Sequence, residues 1–335
     1  MKVLVTGGTG FLGANLCHHL VARGDQVQVL KRRRTPPTLL EGLPVEFAEG
    51  DVTDLASLVA AARGVEGIYH AAGLISYWRP KRERQYKVNV EGPRNVVEAA
   101  VRNGVRRIVH TSSIAAVGFR PDGQVADEDT PFNWEPYDVH YCTTKHLGEV
   151  EAMKGNQRGV EVVAVNPSLI FGPRDLHFQA GRIFKMVAER STLRIPESTT
   201  TCSDVDDVCI AHIAAMERGQ PGRRYILGGE VRTFSDLARE IADVMGKQVQ
   251  VKIVQFRVAQ LIAYVVYGVS LVTRKEPPLT PELLRVAQHT RRYSSARAIR
   301  ELGYPQTPLR AALEKTYRWY VENNLLPDFR GRTRR

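Results

Sequence analysis

Short apolar runs rich in β-branched residues punctuate the first half of the chain: Val3–Val5, Val27–Leu30, Val45–Phe47, Gly67–His70, Arg107–His110 and Val160–Val165. Between them lie stretches with apolar residues at helical spacing, among them Phe11–Arg23, Leu55–Arg63 and Asn89–Arg102. Strand and helix in alternation predict a parallel, doubly wound sheet. Strands that are apolar throughout, not at every second residue, fit a sheet covered by helices on both faces. After Pro167 the regularity loosens. Val205–Arg218 predicts a helix and Arg224–Leu227 a strand. From Thr233 onward the pattern is mostly helical, broken at Gly246, Pro277-Pro278 and Pro305, with a helix start at Thr307-Pro308. The expected organisation is an α/β domain over 1–170, joined again by 204–228, and a smaller, mostly helical domain built from 171–203 and 229–330.

Composition narrows this little. The 335 residues are 43% hydrophobic and 25% charged, ordinary for a globular chain. The four cysteines, Cys17, Cys142, Cys202 and Cys209, form no C-x-x-C pair and match no zinc spacing. Scattered thiols suggest a reducing, cytoplasmic setting. Met1 and Lys2 lead straight into a strand-like run, which fits no signal peptide. His18-His19 has no further ligand at metal spacing, so no metal site is expected. The net charge is +11, concentrated at Lys31–Arg34, Arg79–Lys87 and the tail arginines 330, 332, 334 and 335. Such runs read as solvated surface, and no nucleic-acid motif accompanies them. Val258–Val272 is apolar but falls short of a spanning helix, so no transmembrane span is expected. A buried or cleft-lining helix is the first reading, and peripheral membrane contact the second.

Chemistry enters at Thr6-Gly7-Gly8-Thr9-Gly10-Phe11-Leu12-Gly13, after the first strand and at the head of the first helix. Glycines there let the backbone turn sharply and approach a pyrophosphate closely. The helix amides and dipole then face the phosphates. A second pattern is Tyr141-x-x-x-Lys145, one turn apart on a helix face. Carbonyl reduction needs a proton at oxygen as hydride reaches carbon. A free tyrosine, with a pKa near 10, is poorly matched to that task at neutral pH, and a neighbouring ammonium is expected to lower it. The strand-end hydroxyls Thr111-Ser112-Ser113 offer a third group.

The three-and-three spacing of Gly7, Gly10 and Gly13 resembles the short-chain dehydrogenase/reductase superfamily, its extended branch in particular. Further segments carry the resemblance: Gly50-Asp51-Val52, His70-Ala71-Ala72-Gly73, Asn89-Val90-Glu91-Gly92, Asn166-Pro167-Ser168, Phe171-Gly172-Pro173, Tyr293-Ser294-Ser295 and Glu301-Leu302-Gly303-Tyr304. It implies a Rossmann-type doubly wound sheet with a helical substrate domain. It implies that Gly7, Thr9, Gly10, Phe11, Leu12 and Gly13 hold the dinucleotide, with Asp51 at the adenine amino group beside Val52. Ala71, Ala72, Gly73 and Thr111 would line the cofactor, and Pro167, Ser168 and Ile170 would border the nicotinamide. Tyr141 and Lys145 would serve both cofactor and catalysis. Ser113, five residues before Gly118, would be the catalytic serine, with Ser112 its rival.

The second strand ends in Lys31-Arg32-Arg33-Arg34, and no acid lies between Gln26 and Leu40. NAD-selective sites place an acid there for the ribose hydroxyl, whereas guanidinium suits a 2′-phosphate. NADP(H) is therefore expected over NAD(H), with Lys31 and Arg32 the determinants. Among extended members the chain resembles the dihydroflavonol-reductase-like group, which includes hydroxysteroid dehydrogenases. Arg223–Glu230 is similar in wording to hopanoid-associated sugar epimerases. Leu74-Ile75-Ser76-Tyr77-Trp78 favours an apolar carbonyl substrate. A reductase, a sugar-nucleotide epimerase or dehydratase, and a non-catalytic dinucleotide sensor all stay open, as does a homodimer.

Overall fold

The computed structural model describes residues 1–331; the tail arginines 332, 334 and 335 lie outside the described residues. Seven parallel strands form the main sheet: β1 (Lys2–Thr6), β2 (Gln26–Lys31), β3 (Glu46–Glu49), β4 (Gly67–His70), β5 (Arg107–Thr111), β6 (Glu161–Pro167) and a late strand, β10 (Arg224–Leu227). Their spatial order is β10-β6-β5-β4-β1-β2-β3. The order reverses between β1 and β4, and such a switch point opens a crevice at the strands' carboxyl ends. Helices α1 (Phe11–Ala22) and α7 (Val205–Arg218) cover one face; α2 (Leu55–Ala61), α4 (Gly92–Asn103) and α5 (His140–Met153) belong to the other. Between them the inner strands β1, β4, β5 and β6 are buried on both sides, which explains their apolar runs, while the edge strand β3 is largely exposed. The expected doubly wound α/β fold is the observed one.

The rest is built from β7 (Leu169–Phe171), α6 (Arg182–Glu189), β8 (Thr192–Ile195), β9 (Thr199–Asp204), β11 (Val231–Thr233), α8 (Phe234–Met245), β12 (Gln250–Ile253), α9 (Phe256–Thr273), α10 (Pro281–Ala287), α11 (Ala296–Leu302) and α12 (Leu309–Glu322); a short helix, α3 (Arg82–Tyr86), precedes α4. Three departures from the sequence reading stand out. β12 is a strand inside the supposedly helical stretch, paired in parallel with β8. Residues 296–304 leave the second region, and Ala298, Leu302 and Tyr304 join the core of the main sheet. The helix expected to be buried or cleft-lining, α9, runs 18 residues and is not buried: it keeps most of its apolar side chains in solvent. It is the one described helix long and apolar enough to cross a membrane.

Candidate active site

The glycine turn is dictated by space. Gly7 sits at φ +73°, and a Cβ there would meet the backbone of Ala71 and Ala72 at 2.6–2.8 Å. Those two residues lie just beyond β4, where the Ala71 amide donates to the Thr6 carbonyl at 3.1 Å and the Ala72 amide to Thr6 Oγ1 at 3.3 Å. A Cβ on Gly13 would stand 2.2 Å from the Gly7 carbonyl oxygen. Gly10 caps α1 in an extended conformation without a side-chain bond to the helix amides. The first helix amides are thus left without an intrahelical partner at the crevice. A buried, tightly turned backbone with free helix amides fits a dinucleotide pyrophosphate.

At the other end of that crevice, β2 delivers Arg32, Arg33 and Arg34 into a cleft of about 930 Å³, shared with Thr35, Glu49, Gly50, Asp51 and Asp54. Asp51 accepts from the Thr53 amide and hydroxyl, both at 2.9 Å, and Asp54 caps α2 through the Ala56 amide. None of the three arginines has an ion pair among the described residues. Lys31 departs from the expected group: its ammonium lies 5.9 Å from the Phe47 ring centroid, outside this cleft's lining. Val52 is buried against Gly92.

The hydroxyl group and the lysine come from α5. Tyr141 and Lys145 are both buried there, one turn apart. Ser113, after β5, caps a short helical turn through the Ala115 amide at 3.1 Å, which fixes its side chain, and its side chain acts on Tyr141 to favour the ionised form. The rival Ser112 is buried with no partner for its hydroxyl among the described residues. Thr111 contributes its carbonyl, which accepts from Lys145 Nζ at 2.9 Å; its hydroxyl turns away to His212 on α7. The Tyr77 ring meets Tyr141 nearly edge-on, centroids 5.4 Å apart. Cys142 points into the neighbouring aromatic cluster with Phe119 and Trp134. Pro167 ends β6, Ser168 donates to Ser203 Oγ at 3.1 Å, and Ile170 packs on the sheet core.

One electrostatic expectation is overturned. Burial pushes Tyr141 up to about 12, and Ser113 only partly offsets it. Lys145 does not lower it in this state, because burial instead pulls the lysine down to about 8, and its ammonium is spent on the Thr111 carbonyl. This has a measurable consequence. Between pH 8 and 10.5 the unfolded chain holds the lysine proton that the folded chain has lost, so this group's contribution to stability rises with pH. The four buried thiols act oppositely, since burial raises each of them. The reading is therefore the difference between wild type and Lys145→Met in chemical denaturation. That difference is expected to move in favour of wild type by on the order of 3 kcal/mol from pH 8 to 10.5. A difference independent of pH would refute the assignment of the low value to Lys145.

Several supporting residues went unassigned in the sequence. Asn89 brackets Leu74, accepting from its amide at 2.8 Å and donating to its carbonyl at 3.0 Å, which holds the Gly73 loop beside Lys145. Asn166 donates to the Ser113 carbonyl at 3.0 Å and to the buried Glu149 at 2.7 Å, itself paired with Arg224 at 3.0 Å. Both asparagines lie in motifs noticed for their family likeness. Glu282, on α10, accepts from the amides of His140 at 2.7 Å and Tyr141 at 3.4 Å. It caps α5 from far along the chain, and no local signal announces it.

A glycine turn at the switch point, facing a serine, tyrosine and lysine set, defines a class: dinucleotide-dependent oxidoreductases of the extended short-chain dehydrogenase/reductase fold. Within it the chain belongs to the NAD dependent epimerase/dehydratase family, whose model matches residues 3–228. It is 34% identical to sterol demethylase protein B of Methylococcus capsulatus, over 97% of this chain and 100% of that protein. It is 30% identical to the 2-alkyl-3-oxoalkanoate reductase of Stenotrophomonas maltophilia, over 94% and 98% respectively. The crystal structure of gox2253 superposes with a TM-score of 0.84 at 32% identity, covering 97% of this chain and 99% of that one. The protein is an NAD(P)-dependent oxidoreductase.

Proposed function

We propose that the protein interconverts a ketone or aldehyde and its alcohol on an apolar small molecule, with NADP(H) preferred. The observation that carries this reading is the placing of Tyr141 and Lys145, both buried one turn apart on α5, beside the fixed side chain of Ser113, with Lys145 held at the Thr111 carbonyl. A bound nicotinamide supplies or accepts the hydride. Ser113 orients and polarises the substrate oxygen, and Tyr141 donates the proton to it in reduction. Lys145, held at the Thr111 carbonyl one turn from the tyrosine, would bind the cofactor from the same helix face. The glycine loop, with Thr9, Phe11 and Leu12, would hold the pyrophosphate, and Ala71–Gly73 with Pro167–Ile170 would flank the nicotinamide. Residues 1–170 and 204–228, with 296–304 packed on their core, would then serve the cofactor, and the rest the substrate. Four buried, unpaired thiols support a cytoplasmic setting.

The apolar substrate is supported by Tyr77, whose ring meets Tyr141 directly. A panel of steroid, flavonoid and long-chain ketones with NADPH tests it. Stoichiometric loss of NADPH absorbance supports the reductase. Protection in thermal shift by nucleotide sugars alone, with no net NADPH loss, would replace it by the epimerase reading that the family name allows.

Cofactor preference rests on Arg32. A 2′-phosphate carries about two negative charges near neutral pH. One charge-assisted hydrogen bond contributes about 1.5–3 kcal/mol, or roughly 10- to 150-fold. Glu49 lines the same cleft without a described partner and is the carboxylate that would grip a 2′-hydroxyl instead. Arg32→Ala is expected to lower kcat/KM for NADPH by that factor while sparing NADH; Glu49→Gln should change the ratio little. Equal kcat/KM for both reduced cofactors in wild type would sink the preference.

A further inference from the structure

From Val258 to Thr273, α9 has no charged residue. Its buried positions are small: Ala259, Ala263 and Ser270. Its outward face carries the bulk. Val258, Leu261, Ile262, Val265, Val269 and Val272 recur at helical spacing, with Leu261 67% and Val272 86% exposed. This inverts the pattern of a surface helix, which buries its apolar stripe and turns polar residues to water. A contiguous exposed apolar face of this kind marks an interaction site.

The helix is about 27 Å long, near the thickness of a bilayer core, yet it cannot span one here. Both ends are tied to the same body. Just before it, the Val254 amide donates to the Ile195 carbonyl at 2.9 Å. Near its far end Trp78 Nε1 donates to Ser270 at 3.1 Å, and Glu276 accepts from Ser76 at 2.6 Å and Lys81 at 2.5 Å. The helix therefore lies along the surface. Arg257 precedes it, Arg274 and Lys275 follow it, and Arg79 and Arg84 stand on the segment that Lys81 fastens to its end. All five are exposed and hold no ion pair among the described residues. A second copy of this chain would set these cations against themselves. Lipid phosphates complement them.

We propose that α9 docks the protein on the surface of an anionic lipid bilayer. Its apolar face enters the boundary between headgroups and acyl chains, and the flanking cations meet the phosphates. Docking stands apart from the reaction. One corollary rests on the apolar-substrate reading: Trp78 touches α9 while its neighbour Tyr77 touches Tyr141, so a lipid-dissolved substrate would enter beside the reactive hydroxyl.

The test is flotation of the full chain with vesicles of phosphatidylcholine alone, or with one third phosphatidylglycerol. Wild type is expected to partition onto the anionic vesicles, with the neutral ones binding more than tenfold less. Leu261→Glu/Val265→Glu should lose the binding with an unchanged melting temperature, because both positions are solvent-facing. Arg257→Gln/Arg274→Gln should weaken it about fivefold per cation and reduce its salt dependence. Wild type that stays unbound, or a glutamate variant that floats like wild type, overturns the proposal. So does a concentration-dependent oligomer, dissolved by the glutamate pair and indifferent to vesicles, which would make this face a contact between copies. Because flotation needs no substrate, its outcome is independent of whether the reductase reading survives.

Discussion

Tyr141→Phe is expected to cut turnover by about 10²- to 10⁴-fold while dinucleotide binding stays close to wild type. The ring is buried against Tyr77 and remains so in phenylalanine, which keeps every apolar contact. Ser113 keeps its bond from the Ala115 amide. Only the proton-bearing oxygen goes. Single-turnover measurements with titrated dinucleotide separate the two effects. More than a tenth of the wild-type rate would remove Tyr141 from the proton-transfer role. Ser113→Ala should cost less, and Ser112→Ala less again, because only Ser113 acts on the tyrosine hydroxyl. The reverse order would transfer the role to Ser112.

Gly13→Ala is expected to lower dinucleotide affinity more than a hundredfold. The added methyl would stand 2.2 Å from the Gly7 oxygen, 2.7 Å from its carbonyl carbon and 2.8 Å from Gly8 Cα. All three are backbone atoms. Gly7 cannot yield, since Ala71 and Ala72 press on its other side. The loop must open, and the amides at the head of α1 then lose their common aim, which is what makes them an anion site. Titration calorimetry with either dinucleotide measures it. Affinity within tenfold of wild type would mean that the loop tolerates the shift and does not hold the pyrophosphate closely.

These residues were legible in the sequence for a local reason. A glycine turn between strand and helix, and a tyrosine one helical turn from a lysine, are written in adjacent positions. The central strands were legible because burial on both faces leaves unbroken apolar runs; Gly67–His70 matches the observed β4, and Val205–Arg218 matches α7. What failed was non-local or directional. β12 alternates weakly and exists because β8 offers it a partner 58 residues earlier along the register, Gln250 opposite Thr192. The helix expected from Asn89 begins as a wider π turn over 87–91 and becomes regular only at Gly92, a distortion that residue spacing does not encode. Apolarity identified α9 but not the direction of its apolar face, which depends on what lies beneath. The lowering of Tyr141 failed because burial, invisible to a spacing argument, raises it and the Lys145 ammonium is turned to the Thr111 carbonyl.

The cap on α5 gives the enzyme an order of assembly. The carboxylate of Glu282 reaches the Tyr141 amide from 141 positions further along the chain. Arg224, which braces Glu149 beneath Ser113, likewise belongs to the last strand to enter the sheet. Synthesis runs from the amino end, so a nascent chain carries its glycine loop, serine, tyrosine and lysine long before it owns the groups that hold them in place. The candidate site is therefore finished last, by residues outside its serine, tyrosine and lysine set, and a chain cut short before α10 would carry those side chains without that brace.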